Sequence, residues 1–497
     1  MRRFSVLIVF FPTFGQFIQK IYVSMLFLLF VLFLPFQFVG CSSLPQTSAS
    51  DEISVKKYIE YSELPAAERL FLDSLQKATF NYFLKEIEPS KGLVKDRSAD
   101  WSPASIAATG FALPVWALGS EKGWITKEKA EELTLNLINF LLNSEQSAAP
   151  DATGYKGFYY HFLDLKNGKR EWNSELSTVD SGFLFAGLIF ARNYYSGATP
   201  RQVAIRKGAD EIIARADWDF FTINNPKSEY YNGLSMGWHP ETKENNGLID
   251  HCWWGYNEAL VLFIMAAGAD SKDFQKQYDR WLRDYQWGGE YLGLEHYMFP
   301  PMFGHQYSHL FVDFRGIYDI KNREKGIDYW ENSRRATYTQ QLFGKNNPRK
   351  WVGMDSLTWG LSACDGPGEK FNRDGYKFID YSARGFSKLS MDWNDDGTIA
   401  PTAAGGSVPF APEITIPTLM NIKYKYGAAG LWGEYGFKDS FNPTAGWFAV
   451  DYIGIDQAPI ILMIENYKNG FVWNYFMKDA MIQKGLQKLD YRKGNAE

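Results

Sequence analysis

Asp180 is the single charge in the fourteen-residue stretch STVDSGFLFAGLIF (Ser177 to Phe190), and Glu258 opens a second apolar run, WWGYNEALVLFIMAAG. A carboxylate taken out of water is costly unless it is paired or hydrogen-bonded, so each of these acids needs a reason to be there. Two reasons compete. Ser177-Thr178-Val179-Asp180 fits the [ST]-x-x-[DE] pattern of a capping box, in which the acid serves the helix start. The preceding Asn173 and Ser174 offer other caps, which would free Asp180 for chemistry. Glu258 follows Asp250, His251, Trp253, Trp254 and Tyr256. An acid among large aromatics has its pKa raised, as a general acid requires. Glu175, five residues before Asp180, is the third candidate, with a first-turn surface acid as its plainer alternative. Paired carboxyls of this kind suit acid/base hydrolysis, one protonated and the other ionised.

A third constellation is PPMFGHQYSHLFVDFRG, with His305, Gln306, Tyr307, His309, Asp313 and Arg315. His305 and His309 have the i, i+4 spacing of a zinc pair, but the Glu expected beside the first His is replaced by Gln306 and no third ligand is near in sequence. Donors that grip sugar hydroxyls are the expected use, with Arg315 and Asp313 as a structural pair. DWNDDGTIAPTA (Asp392 to Ala403) begins like a calcium loop, with Asp392, Asn394, Asp396 and Gly397, yet Ala403 stands where the bidentate Glu belongs. A turn on Asp396-Gly397 explains it more simply. No phosphate-loop spacing and no GxSxG elbow occur. No metal ligand is assigned, and calcium at 392–403 stays open.

These residues have to be positioned by helices. LPAAERLFLDSLQKATFNYFLKEI, SIAATGFALPVWALGS, TKEKAEELTLNLINFLLNS, PRQVAIRKGADEIIARAD, KDFQKQYDRWLRDYQ, ENSRRATYTQQLF, RGFSKLSMDW, EITIPTLMNIKYKYG, DQAPIILMIENYKNG and VWNYFMKDAMIQKGLQKL carry helical spacing, as do the two runs above. Some are apolar all round and others amphipathic, so inner helices alternate with outer ones. The expected fold is all-α, a single (α/α)6 toroid whose long loops carry short hairpins such as GFYYHFLDL and WDFFTI. Both conspicuous acids follow long loops, which places them at a loop-rich face.

Composition narrows the class. Aromatics make up 17% of the 497 residues, with 17 Trp and 29 Tyr, which suits stacking on sugar faces. A net charge of −5 gives no footprint for nucleic acid. Cys41, Cys252 and Cys364 do not make a disulfide framework, although the last two are open to pairing. MLFLLFVLFLPFQFVGCSS resembles a bacterial lipoprotein signal that ends at a lipidated Cys41, with Met25 an alternative start and a plain membrane anchor as the other interpretation. The expected organisation is a signal segment over 1–41, a polar tether over 42–63 and a catalytic domain over 64–490. The domain would be exported and lipid-anchored, periplasmic or on the outer-membrane surface, and monomeric.

ELSTVDSGFLFAGLIFA, YNEALVLFIMAAGA, FGHQYSHLFVDFRG, WGLSACDGP, DGTIAPTAAGGSVPFAPE and GLWGEYGFKDSFNP, in this order over about residues 66 to 488, resemble the glucoamylase-like family. Within it they are most similar to glycoside hydrolase family 144, the bacterial endo-β-1,2-glucanases. The resemblance implies an (α/α)6 fold and cofactor-free hydrolysis of β-1,2-glucan to sophorose-type oligosaccharides, with inversion. It makes Asp180 and Glu258 the catalytic candidates, with Glu258 as general acid and the base left open. His161, His251, Trp253, Trp254, His305, Gln306, Tyr307, Arg315, Trp359, Asp365, Phe410, Glu434 and Tyr435 are the expected substrate contacts. Three alternatives stay open: a retaining transglycosylase on the same glucan, a glycan-binding surface lipoprotein, and a polysaccharide lyase using Tyr307, His305 and Arg315.

Overall fold

A computed structural model describes residues 55–289, 294–386 and 394–494 of the protein. Fifteen α-helices occur among these residues. They are α1 (Ala66–Lys85), α2 (Ile106–Glu121), α3 (Lys127–Asn143), α4 (Thr178–Tyr194), α5 (Pro200–Ala214), α6 (Leu260–Gly268), α7 (Phe274–Arg283), α8 (Tyr307–Phe311), α9 (Ile320–Lys325), α10 (Tyr329–Asn346), α11 (Pro401–Gly405), α12 (Pro412–Tyr426), α13 (Gly454–Asn469), α14 (Phe471–Phe476) and α15 (Ala480–Lys488).

Two kinds of helix alternate along the chain. From Thr178 to Ala191 in α4 every residue but Val179 is buried, and α6, α8 and α11 are buried throughout. With α2 and α13 they make the inner ring of an (α/α)6 toroid, because a helix apolar on all sides has to be enclosed by others. The amphipathic α3 and α5 pack outside it, against α2 and α4 and against each other. Their starts are fixed by Thr126, whose hydroxyl accepts from the Lys129 N–H at 3.2 Å, and by Thr199, which does the same for Gln202 at 3.3 Å.

The connections are unequal, and this positions the site. Inner helices pass to outer ones through short turns, as at 122–126, 195–199, 269–273 and 406–411. Outer helices return to inner ones through long segments, as at 144–177, 215–259, 347–400 and 427–453. Inner helices of such a ring run parallel, so the long segments all collect at the face of their N-termini. Two-residue strands brace those segments. Ala104–Ser105 pairs with Phe162–Leu163 ahead of α2, and Leu176–Ser177 pairs with Gly237–Trp238 ahead of α4.

Several expectations need correction. Trp218–Phe221, expected in a hairpin, is a 3-10 turn, because the Asp217 carboxylate accepts the Phe220 N–H at 3.2 Å. The C-terminal helix is two, α14 and α15, separated at Met477–Asp479. RGFSKLSMDW is not helical over 384–386, and its remainder lies outside the described residues. Residues 55–63, read as the end of a tether, are docked on the domain. Lys56 N–H donates to Tyr338 Oη at 3.1 Å, and Tyr58 Oη–H to the Pro409 carbonyl at 3.0 Å. Cys252 and Cys364 are buried free thiols.

Two inner helices, α2 and α4, approach each other backbone to backbone. A Cβ on Gly187 would lie 2.1 Å from the Gly110 carbonyl oxygen, and one on Gly110 would lie 2.5 Å from Leu184 Cα. Backbone cannot yield as a side chain does, so Gly187→Ala forces these two inner helices apart. It should cost about 1–3 kcal/mol or more, read as a lowered denaturant midpoint in chemical unfolding.

Candidate active site

Asp180 is the third residue of α4. The Ser177 hydroxyl accepts the Asp180 N–H at 3.2 Å and donates to Asp180 Oδ2. Ser177 therefore caps the helix, and Asp180 does not have to turn back to close a capping box. Its other oxygen, Oδ1, faces His161 Nε2 at 3.5 Å. The opposite ring nitrogen, Nδ1, donates to Glu175 Oε1 at 2.8 Å. Backbone bonds hold this arrangement: the His161 N–H donates to the Glu175 carbonyl at 3.0 Å, and the Ile106 N–H to the His161 carbonyl at 3.1 Å. Phe162 stacks on the imidazole at 3.9 Å between ring centroids.

The electrostatics follow from this geometry. Burial opposes a charge on His161, but Asp180 and then Glu175 outweigh it and push the imidazole up to about 10. Burial works against the Glu175 carboxylate too, yet His161 brings it below its usual range. Asp180 is raised by burial, with Glu175's charge adding and the attraction of His161 opposing.

Glu258 lies two residues ahead of α6, 8% exposed, with Oε2 making no hydrogen bond. Its carbonyl accepts from Ser308 Oγ in α8 at 2.6 Å. Burial pushes the carboxyl up to about 7; a backbone hydrogen bond opposes this, and Asp180's charge adds to it. The Trp253 indole N–H donates to Thr178 Oγ1 at 2.9 Å, tying the loop before α6 to the start of α4. Trp254 is exposed and its indole N–H donates to His251 Nε2 at 3.2 Å.

A further group of acids completes the face. Arg97 Nη1 lies 3.0 Å from Asp365 Oδ2 and 3.9 Å from Asp451 Oδ2, while Nε is 3.4 Å from Asp96 Oδ2. Asp439 Oδ2 accepts the Asp365 N–H at 2.7 Å and the Ser440 hydroxyl at 3.0 Å. Asp456, third in α13, is buried beside Asp439. Burial and then the Asp365 charge raise Asp439 to about 7, and burial and then Asp439 hold Asp456 well above the carboxylate range. One proton shared between this pair relieves the repulsion of two buried like charges. The Tyr307 phenol, at the start of α8, experiences the charges of both Asp456 and Glu258. Asp96 in turn acts on His161. Sequence reasoning missed Asp96, Asp439, Asp451 and Asp456. Asp456 carried the signal already used for Asp180, an acid opening an apolar helix.

Of the expected contacts, His161, Glu175, Asp180, Glu258, Tyr307 and Asp365 belong to this network. Others do not reach it as expected. His305 and Gln306 are wholly buried: His305 Nε2 lies 3.1 Å from the Phe299 carbonyl, and Gln306 Nε2 donates to the Ala403 carbonyl at 2.9 Å and Ser407 Oγ at 2.8 Å. They brace α8 against α11 and the Phe299 loop, with no surface for a sugar. His309 is equally interior, 3.1 Å from Ser333 Oγ. Trp359 and Phe410 are core residues. Arg315 is committed to Asp313 at 2.7 and 2.8 Å and lies over the Trp473 ring. Glu434 pairs with Lys85, and Tyr435 Oη–H donates to Glu86 Oε1 at 2.8 Å.

In the calcium-like stretch, Asp392 lies outside the described residues. Asp396 is taken by Arg384, with Nε at 2.9 Å and Nη2 at 3.0 Å. Among the described residues, His161, Glu175 and Asp180 are close enough to share a metal ion. The imidazole turns a different nitrogen to each acid, however, which is the geometry of a hydrogen-bonded bridge.

A toroid of paired helices with buried carboxyls converging on its loop face defines a class of carbohydrate-active proteins, and the comparisons agree. The family model described as "Putative glucoamylase" matches residues 250–480. A crystal structure of a "putative glucoamylase" from Bacteroides uniformis is 30% identical, with a TM-score of 0.72, covering 87% of this chain and 99% of its own. The chain belongs to the glucoamylase-like family. An endo-β-1,2-glucanase from Chitinophaga pinensis, in complex with sophorotriose and glucose, is 25% identical with a TM-score of 0.72, over 86% of this chain and 99% of that one. An exo β-1,2-glucooligosaccharide sophorohydrolase (non-reducing end) from Parabacteroides distasonis is 27% identical over 474 residues, 89% of this chain. The chain spans 60% of that relative's length.

With its pKa near 10, His161 is an imidazolium at neutral pH. Its ring ¹⁵N shifts in NMR should stay those of the doubly protonated form up to pH of about 10. A transition near the ordinary histidine range of about 6.5 would show that the bridge between the two acids is not formed.

Proposed function

We propose that the protein is a glycoside hydrolase that cleaves β-1,2-glucan to sophoro-oligosaccharides with inversion. The observation that carries this reading is Glu258, a buried carboxyl near pKa 7 with an unpartnered oxygen, set at the loop face within the field of Asp180. The relatives named as β-1,2-glucan hydrolases, on the same fold, supply the substrate class.

Protonated Glu258 gives its proton to the glycosidic oxygen as the anomeric C–O bond breaks, and that oxygen leaves as a hydroxyl. Asp180 takes a proton from water, whose oxygen bonds to the anomeric carbon from the opposite face. Burial raises the basicity of Asp180, which suits a base, while His161⁺ favours its ionised form. Glu175, accepting from the far side of the ring, fixes the imidazole. An inverting pair leaves room for that water, with carboxyls about 6.5–9.5 Å apart. A glycan-binding protein without turnover would need stacking residues but no carboxyl tuned in this way.

The N-terminal segment extends the proposal. Cys41 lies outside the described residues, and among those described no helix is long and apolar enough to cross a membrane. We propose that the domain, a monomer, is exported and held at a membrane by lipid on Cys41.

Glu258→Gln should lower kcat on linear β-1,2-glucan by about 10²–10⁴-fold and leave the far-UV circular dichroism unchanged; near-wild-type rates would sink the assignment. The wild-type rate should fall as pH rises through about 7, because Glu258 then loses the proton it must donate. Inversion predicts that NMR of the first products shows the α-anomer. In cells fed labelled palmitate, the label should enter the wild type and be absent from Cys41→Ser.

A further inference from the structure

Three tryptophans are exposed among the described residues, Trp101, Trp172 and Trp254. Trp254 belongs to the loop before α6. The other two, 64% and 44% exposed, lie far apart in sequence and meet at the surface, with ring centroids 5.9 Å apart and planes at 44°. Burying apolar rings is the ordinary outcome of folding, so two indoles brought together in water call for an explanation.

Both are joined to the acid network. Trp172 packs on Phe162 at 5.0 Å, and Phe162 stacks on His161, the bridge between Glu175 and Asp180. Trp101 lies under the Arg97 guanidinium at 5.7 Å, and Arg97 holds Asp365. The aromatic surface is thus continuous with both halves of the site.

The backbone supplies an independent argument. Trp172 and Asn173 have φ of +57° and +52°, and the Ser174 N–H donates to the Glu171 carbonyl at 3.1 Å. This is a tight turn with two left-handed central residues, a position where Asn and Gly are preferred. Asn173 fits that preference, whereas a bulky Trp is an outlier there. Strain of this kind persists where the surroundings impose it and concentrates at functional sites. Here Arg170 imposes it: its Nε–H donates to the Ser174 carbonyl at 2.6 Å, and its guanidinium is paired with Glu241. The turn holds the indole out towards water.

We propose that Trp101 and Trp172 form a glucosyl-binding platform, continuous with the acid site, that stacks on pyranose rings of the glucan beyond the bond being cleaved. The inference rests on the function proposed above. A flat indole matches the apolar face of a β-glucosyl ring, and two faces inclined to each other suit a chain that bends between successive units. The consequence is a preference for longer chains, because short oligosaccharides fill the catalytic region without reaching the platform.

The test uses the full chain carrying Glu258→Gln, titrated with linear β-1,2-gluco-oligosaccharides of increasing length, with Kd read by calorimetry and by indole fluorescence. Affinity should rise in a step of about tenfold once the chain reaches the platform. Adding Trp101→Ala and Trp172→Ala should remove the step, and Trp172→Tyr with Trp101 intact should keep most of it. Both residues are exposed, and unchanged thermal unfolding would confirm that the variants fold. A step that survives the double replacement, or no step in the Glu258→Gln parent, overturns the platform. If wild type leaves β-1,2-glucan uncleaved while the step is present and sensitive to the tryptophans, the platform stands and the hydrolase reading falls. Cleavage without a step removes the platform alone.

Discussion

Removing a carboxylate from water is the constraint on which this molecule's arrangement depends. Asp180 and Asp456 lie in the first turns of inner helices, and Glu258 just ahead of another, where the surrounding chain is almost wholly apolar. Each has been accommodated differently. Asp180 has a cationic neighbour in His161 and a hydroxyl from Ser177; burial and the neighbouring Asp439 hold Asp456 well above the carboxylate range; Glu258 has no such partner and is pushed up by burial to about 7. Environments that drive similar groups apart are what let one site hold an acid and a base together.

The fold makes these differences possible. Short turns from inner to outer helix and long segments back again send the irregular chain to one face, where it can carry Arg97, His161 and the tryptophans without disturbing the packed ring. The opposite face has mostly tight connections, with 312–328, which carries α9, as an exception among the described residues. Close packing of α2 on α4 through Gly110 and Gly187 fixes the relative position of the segments that precede them. Those segments include Arg97, on the way into α2, and Glu175, on the way into α4.

Much of this was legible in the chain. Alternation of all-apolar and amphipathic helices predicts the toroid, and a lone charge in an apolar run identifies Asp180 and Glu258. Other features were not legible, for physical reasons. HQY reads as a set of donors for sugar hydroxyls, but α8 is a five-residue inner helix buried throughout, so His305 and Gln306 are spent on holding backbone carbonyls. The role of His161 depends on partners brought to it by strand pairing rather than by sequence spacing. WDFFTI is rich in the aromatic and β-branched residues of a strand, but Asp217 caps it into a 3-10 turn. The aspartates around Arg97, which are Asp96, Asp365, Asp439 and Asp451, come from three separate segments, and only closure of the ring brings them together.

The described domain holds two buried thiols. Burial pushes Cys252 up to about 12 and Cys364 well above the usual thiol range, so neither presents a thiolate to oxidants or alkylating agents. The described domain reaches its native packing with no cross-link formed or required between them. Its covalent structure is therefore the same in a reducing or an oxidising compartment, and its assembly needs no help from thiol–disulfide catalysts on either side of a membrane.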